Sequence, residues 1–328
     1  MTSDKIGIKN QNWGLELEFT GMTRERAARK IQSVVGGTVH NTGSDHQGWY
    51  ITAPDGRKWK VMGDASIRTE RGGTRGQYTG EACELVTPIC TYEDIPVLQE
   101  CVRTLRKAGA KVNGSCGIHI HVDAGNHTAQ SLKNLVFLMK AKQDLIFRAV
   151  GTQSRRLARW CEPIDADLVD NIRRVPGKDL DRDKLEGIWY GTYAPGESRD
   201  RHYNSSRYHA LNLHSTWQRG SVEFRLFEAS LHAGEIRAWL NLCLAMSAQA
   251  IAQKRTSPEV LDNGGNDKYA MRCWLLRLGF IGDEWKEVRE HLLKNLSGNA
   301  AWRNDPNTYE SYRSRHSGQS AAGETGAA

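Results

Sequence analysis

Three short segments of this 328-residue chain alternate between apolar side chains and side chains that can do chemistry. They span residues 14–19, 117–123 and 221–227. Because successive side chains of a β-strand point to opposite faces, each segment predicts a strand with one apolar and one polar face. The polar faces would carry Glu16, Glu18, His119, His121, Glu223 and Arg225. Carboxylates, imidazoles and a guanidinium can together hold divalent cations and a phosphate chain, so we expect an active-site floor.

The first two segments each offer a pair of ligand-type side chains. On a strand, the carboxylates of Glu16 and Glu18 lie on one face, roughly 7 Å apart. That spacing suits two neighbouring hard cations, because Mg²⁺ prefers oxygen ligands. His119 and His121 could ligate zinc in a hydrolase, or contact phosphate and Mg²⁺ in a nucleotide site.

The third segment places an acid beside a base. In a phosphate site, Glu223 would bind metal and Arg225 would stabilise charge on a phosphoryl group. Arg207 lies just upstream and could add a second cationic contact. Taken singly, such pairs also fit a solvated strand face or a surface ion pair. Their occurrence on three matching strands favours a functional site.

Composition narrows the class of protein. Apolar residues make up 39% and charged residues 25% of the chain, as in globular proteins. The net charge of +7 favours anionic partners, with nucleic acid less favoured because the basic residues form no single stripe. Seven scattered cysteines without a CxxC pair indicate reduced thiols. No apolar run of membrane-spanning length and no secretion signal is recognised, so we expect a cytoplasmic protein without membrane contact.

The remaining elements would hold these strands in place. Periodicity and capping residues predict helices over 24–35, 94–108, from Thr128 onward, 233–252, 269–278 and 284–293, a β-hairpin over 49–62 and a strand over 82–87. Residues 155–205 are polar and weakly periodic, and indicate an irregular insert acting as a lid or substrate loop. The Gly- and Arg-rich stretch 71–80 is predicted to be mobile. We expect one catalytic domain over 1–297 and a polar, largely disordered tail over 298–328.

The ordered set of motifs resembles a known family. The segment from Asn113 to His121 is similar to the asparagine–glycine loop and paired-histidine strand of glutamine synthetases. The closer resemblance is to the amidoligase family, which is related to glutamate–cysteine ligases. It is carried by residues 14–19, 64–67, 84–88, 116–123, 155–163, 207–212 and 222–228. Ala65 stands where the family usually has glycine.

This resemblance implies an α+β fold, a glutamine-synthetase-like catalytic domain with a curved antiparallel sheet backed by helices. It also implies an ATP-dependent carboxylate–amine ligase. ATP would phosphorylate a carboxylate, and an amine would displace phosphate from the acyl phosphate to give an amide or peptide. The implied cofactors are ATP and Mg²⁺, which Mn²⁺ could replace.

The resemblance also implies roles for individual residues. The Mg²⁺ ligands would be Glu16, Glu18, Glu84, His119 and Glu223, with Glu16 and Glu84 expected on one ion and Glu18 and Glu223 on another. His121, Arg207 and Arg225 would contact the nucleotide phosphates, and Arg225, Arg207 and Glu223 would form the catalytic set. The expected substrate contacts are Asn113, Gly114, Asp64, Ser66, Arg155, Arg156 and Arg159.

Two other interpretations remain open at this stage. One is a zinc-dependent hydrolase that uses His119 and His121, and the other is a non-catalytic nucleotide- or nucleic-acid-binding protein of the same fold. The acid and amine are not identified by the sequence, and a metabolite, peptide, protein, cell-wall unit or nucleobase could each serve. A homo-oligomer is compatible with the sequence.

Overall fold

Eight antiparallel strands form one open sheet in the order β2-β3-β4-β5-β1-β6-β8-β7. The computed structural model describes residues 6–43, 48–69, 80–262 and 264–303. The strands are β1 (Trp13–Phe19), β2 (Thr38–Asn41), β3 (Trp49–Thr52), β4 (Lys58–Met62), β5 (Cys83–Val86), β6 (Gly117–Asp123), β7 (Leu211–Asn212) and β8 (Ser221–Glu228). The three alternating segments are β1, β6 and β8, which lie next to one another.

Helices accompany the sheet and pack against one another. They are α1 (Arg24–Val35), α2 (Ile95–Lys107), α3 (Ala129–Val150), α4 (Ser154–Leu157), α5 (Ala166–Arg173), α6 (Arg182–Tyr193), α7 (His214–Arg219), α8 (Ala233–Ala252), α9 (Asp267–Arg277) and α10 (Lys286–Leu293). The expected caps are present, since Thr23 accepts a hydrogen bond from the Arg26 amide and Thr128 from the Ser131 amide. Helix α8 packs on α2, α3 and α10 and on strand β6.

The apolar face of the central strands is buried. The predicted residues Leu15, Leu17, Phe19, Ile118, Ile120, Val122, Val222, Phe224 and Leu226 are each at most 1% exposed. The alternation in β8 is nevertheless interrupted, because Ile120 pairs with Phe224 while Ile118 pairs with Phe227. An extra residue in β8 therefore places Phe227, and not Leu226, opposite Ile118.

The sequence pattern indicated an irregular insert over residues 155–205, but the structure shows helices in this segment. It contains α5 and α6, whose side chains Leu168, Ile172 and Trp189 are completely buried in the main core. Their short apolar stripes are hidden by the polar residues between them, so the pattern is weak although the burial is complete. The described residues contain no helix long and apolar enough to cross a membrane. The predicted mobile stretch over 71–80, apart from residue 80, and the predicted tail beyond residue 303 lie outside the described residues.

Candidate functional site

Strand register brings the predicted polar side chains together. Across β1 and β6, Glu16 pairs with His119, and across β1 and β5, Glu18 pairs with Glu84. His121 of β6 pairs with Glu223 of β8. Because paired residues of neighbouring strands project from the same face, four strands contribute to one polar surface.

Possible metal-ligand atoms on this surface form three groups. Within each group the atoms lie within 4.8 Å of one another. The groups are Glu16–Glu84–His119, Glu16–His121–Glu223 and Glu18–Asp64–Glu84. Glu16 and Glu84 share one group, whereas Glu18 is grouped with Asp64 and Glu84 and not with Glu223. Which residues would share an ion stays a prediction. Glu16 and Glu84 each belong to two groups, so neighbouring ions could share a carboxylate.

The group of Glu18, Asp64 and Glu84 contains only carboxylates. Burial, and then the charge of Asp64, raise the pKa of Glu18 to about 7. Burial, together with Glu16, Glu18 and Asp64, raises the pKa of Glu84 well above its usual range. Desolvation and mutual repulsion disfavour ionisation of the neighbouring Glu18 and Glu84, and a divalent cation bound between them would favour it. An all-oxygen set of this kind fits a hard divalent cation such as Mg²⁺ or Mn²⁺.

Glu16 and the two histidines form the centre of the polar surface. His119 Nδ1 lies 2.9 Å from Glu16 Oε2, and His121 Nε2 lies 3.5 Å from Glu16 Oε1. Although burial raises the pKa of Glu16, the two imidazoles hold it well below the usual range. Burial, and then Arg225, lower the pKa of His119 to about 4. Neutral His119 therefore donates Nδ1–H to ionised Glu16, and its Nε2 lone pair is left for a metal.

His121 differs from His119 in its surroundings. Its Nδ1 lies 3.0 Å from the Ser221 hydroxyl, and its buried Nε2 has no hydrogen-bond partner among the described residues. Burial lowers the pKa of His121, but Glu223 and Glu16 outweigh that effect and raise it above its usual value. Glu16 Oε1 lies 3.5 Å from this nitrogen, so His121 suits a phosphate oxygen when it is protonated and a metal ion when it is neutral.

Glu223 and Arg225 form a buried ion pair at the other end of the surface. Arg225 Nη1 donates to Glu223 Oε1, and Asn212 Nδ2 donates to Glu223 Oε2 over 2.6 Å. Burial raises the pKa of Glu223, but Arg225 and then the two histidines bring it down to about 2. Burial lowers the pKa of Arg225, whereas Glu223 and Glu16 raise it above its usual value. Both groups are therefore charged at neutral pH.

Arg156 and the glycine loop support Arg225 from behind. Arg156 is 5% exposed and its Nη2 donates to the Arg225 carbonyl over 3.1 Å. A Cβ at Gly117 would lie 2.0 Å from Arg156 Nη2, and one at Gly114 would lie 2.0 Å from Arg155 Nη1. A side chain at Gly117 would therefore displace the buried guanidinium of Arg156, whereas one at Gly114 would displace the half-exposed guanidinium of Arg155.

Several residues expected to contact substrate make contacts within the loops around the site, and their contact with substrate stays a prediction. Asn113 Oδ1 accepts from the Ser115 amide over 2.9 Å, and its Nδ2 donates to the Arg68 carbonyl over 2.7 Å. The Ser66 amide donates to Asp64 Oδ1 over 2.6 Å and so orients that carboxylate. Arg159 is exposed and its guanidinium stacks on the Trp160 ring.

Two cavities open beside Glu16. One, of about 210 Å³, is polar and includes Glu16, His202, Arg207, Asn212, Gln218, Arg219 and Glu223 in its lining. The other, of about 310 Å³, is more apolar and includes Val86, Pro88, Ile89, His121, Asp123 and Arg219. Burial, and then Arg225, lower the pKa of Arg207, which lies at the polar cavity.

The sequence interpretation missed Arg219, which lines both cavities. Its Nη1 lies 3.6 Å from Glu16 Oε1. Arg219 ends helix α7, a six-residue element without a recognisable periodic pattern, and only its position just before β8 could have drawn attention to it. It adds a third guanidinium to those of Arg207 and Arg225.

The donor set fits the divalent cations implied by the family better than a zinc site built on both histidines. Each ligand group among the described residues of this surface contains at most one histidine, and one contains none. Zinc sites in hydrolases commonly collect two or three histidines on one ion. The oxygen-rich groups therefore favour Mg²⁺ or Mn²⁺ here.

Comparison with known proteins assigns the family. A family model described as "Putative amidoligase enzyme" matches residues 9–247. The chain belongs to this amidoligase family, as its motifs predict.

The similarity to solved structures is weak. Fourteen chains of solved structures match, among them a bifunctional glutathione synthetase from Pasteurella multocida with 14% sequence identity and a TM-score of 0.35. That match covers 88% of this chain and 47% of the other, so this chain spans about half of its length. No curated protein matches. The glutamine-synthetase-like fold stays a prediction.

Proposed function

We propose that the protein joins a carboxylate to an amine at the expense of ATP, through an acyl phosphate. The γ-phosphoryl group of ATP would pass to a carboxylate oxygen of the acid, with ADP as the leaving group. The amine nitrogen would then attack the acyl carbon, lose a proton and expel phosphate. The acid and amine would be small molecules or peptides.

The observation that carries this proposal is the all-oxygen group Glu18–Asp64–Glu84 beside two further ligand groups that contain Glu16. A triphosphate and a carboxylate repel each other, so both must be neutralised before they can react. Bound Mg²⁺ would supply Lewis acidity and neutralise phosphate charge. Glu16, Glu18, Glu84, Asp64, Glu223 and His119 are the residues that would hold it.

The chain's own cations would act on the transferred phosphoryl group. Arg225 is held in place by Glu223 and is directed at the ligand groups, while Arg207 and Arg219 line the polar cavity. Planar guanidinium groups suit a phosphoryl group because they can donate two parallel hydrogen bonds. The more apolar cavity could receive the organic part of a substrate, and Asp123 there could attract its amine.

Titration calorimetry tests this proposal directly. We expect wild type to bind ATP only with Mg²⁺ or Mn²⁺ present, and Glu18→Gln to weaken that binding at least about tenfold, since a metal ligand is lost. Gln retains an oxygen that can accept from the Gly117 amide, which donates to Glu18 over 2.6 Å. The matched control is Glu100→Gln, which removes only an exposed carboxylate paired with Arg103.

Metal-independent ATP binding, or equal binding by wild type and Glu18→Gln, would contradict the metal assignment. A wild type that binds no ATP would contradict the ligase proposal and redirect attention to zinc bound by His119 or His121. Release of ADP that requires both an acid and an amine would then identify the substrates.

A further inference from the structure

A second cluster of ligand-type side chains lies outside the amidoligase site. His232 precedes helix α8, Glu235 lies in its first turn, and His291 is on helix α10. One ligand atom from each lies within 4.8 Å of the others, and the two imidazole centroids are 5.0 Å apart. None of the three lines either cavity beside Glu16.

Gly234 keeps the space between the two imidazoles open. A Cβ at this position would lie 2.5 Å from His291 Nε2 and 3.3 Å from His232 Nδ1. His291 Nε2 and the Cε1–Nδ1 edge of His232 therefore border one gap beside the helix start. His232 Nδ1 also accepts from the Glu235 amide over 3.2 Å, so a metal ion bound at Nδ1 would replace that amide as the partner of the lone pair. Helical backbone does not require glycine there, and alanine is the better helix former, so the missing side chain matters for the gap itself.

Lys294 supplies a cation to the same cluster. Its ammonium group donates to Glu235 Oε1, while the Ser230 hydroxyl donates to Oε2. The Lys294 side chain is 45% exposed, so it can swing away into solvent. The carboxylate is thus already oriented, and it is neutralised by a group that a metal ion could displace.

We propose that His232, Glu235 and His291 bind a Zn²⁺-class transition-metal ion that links α8 to α10. Two imidazole nitrogens and a carboxylate oxygen are a borderline ligand set that suits Zn²⁺, Ni²⁺ or Co²⁺ and not Mg²⁺. Zinc lies about 2.0–2.2 Å from such ligands, so the side chains must close slightly around it. Water would complete the coordination. This inference does not depend on the proposed function.

Zinc titration with excess Mg²⁺ present tests the site on the full-length protein. Mg²⁺ competes with zinc for the oxygen-rich groups beside Glu16. The quantity to compare is the number of zinc equivalents bound by wild type and by each variant. We expect His291→Gln to bind one zinc equivalent fewer than wild type and to lose part of the zinc-induced rise in Tm. Equal zinc stoichiometry in wild type and His291→Gln would overturn the proposal.

Two further variants should change zinc affinity in opposite directions. Lys294→Gln removes the competing cation and should tighten zinc binding about two- to fivefold, the value of an exposed ion pair. Gly234→Ala fills the gap and should lose the zinc equivalent, while the zinc-free protein keeps or raises its Tm. Weaker binding by Lys294→Gln, or unchanged binding by Gly234→Ala, would contradict the site.

Discussion

Substitution of Arg225 can separate the effect of the planar shape of its guanidinium group from the effect of its positive charge. Lys keeps a positive charge near Glu223 but cannot present two parallel donors to a phosphoryl group. We expect Arg225→Lys to bind Mg·ATP within a few-fold of wild type and to lose about 100-fold in the rate of phosphoryl transfer, as for removal of one charge-stabilising donor. Calorimetry measures the first quantity and single-turnover ADP formation the second.

Arg103→Lys is the control for that experiment, because Arg103 is half-exposed and forms an ion pair with Glu100 away from the polar surface. An Arg225→Lys enzyme with wild-type turnover would refute a role for the guanidinium in catalysis. Loss of nucleotide binding together with turnover would assign Arg225 to binding instead.

The raised pKa of Glu18 makes stability depend on pH in the absence of metal. The carboxyl of Glu18 has a pKa of 4.5 in the unfolded chain and of about 7 in the folded protein. Its contribution to stability is therefore fully present below pH 4.5 and is lost as the pH rises through 7. We expect a loss of about 3 kcal/mol of unfolding free energy across this window. Urea unfolding with a chelator, compared between wild type and Glu18→Gln, isolates this contribution, because other groups titrate in both proteins.

In that comparison, the unfolding free energy of Glu18→Gln should increase relative to that of wild type as the pH rises. Added Mg²⁺ should remove the difference, because the metal favours the ionised carboxylate. Parallel pH profiles for the two proteins would show that Glu18 titrates normally.

Among the secondary-structure elements, the start of strand β6 and helix α4 depend on each other. In Gly117→Ala, the new methyl group would meet the buried guanidinium of Arg156, which contacts the Arg225 carbonyl. We expect a loss of about 1–3 kcal/mol in unfolding free energy and weaker Mg·ATP binding. Denaturant unfolding and calorimetry measure the two effects.

Gly191→Ala in helix α6 is the control, since the added methyl group would have no described atom within 4 Å apart from the nearby backbone of its own helix and the two adjoining residues. Helix propensity predicts a gain of about 0.5–1 kcal/mol there. Equal stability of Gly117→Ala and wild type would show that Arg156 moves aside without cost.

Strict alternation made β1, β6 and β8 predictable, and with them most of the polar surface. The interruption in β8 was not predictable, because the sequence keeps alternating through Leu226 where the pairing does not. Strand β7 has only two residues and no period to detect. Asp64 lies on a loop, so its place beside Glu18 and Glu84 depends on tertiary packing that no local pattern encodes.

At the scale of the whole molecule, the core extends beyond the segment matched by the family model. That match ends at residue 247, yet Trp274, Phe280, Trp285 and Leu292 are buried in the main core. Burial of four such side chains contributes about 6–12 kcal/mol, comparable with the whole stability of a domain. A chain ending at Gln253 is therefore expected to be unfolded or aggregated.

Circular dichroism and dye binding to exposed apolar surface would detect that outcome. A chain ending at Arg303 retains the buried side chains of α9 and α10 and is expected to melt at the wild-type temperature. A shorter chain that melts cooperatively near that temperature would contradict the dependence on these helices.

The central position of β1 has a consequence for synthesis of the protein. This strand is made first, yet its neighbour β6 contributes His119, which lies 103 positions beyond Glu16. At about 5–20 residues per second, the ribosome needs roughly 5–20 s to pass from Phe19 to Asp123. During that time the apolar face of β1 is exposed without its partner strand β6. Nascent chains should therefore recruit chaperones, and slower translation before β6 should lower the yield of folded enzyme.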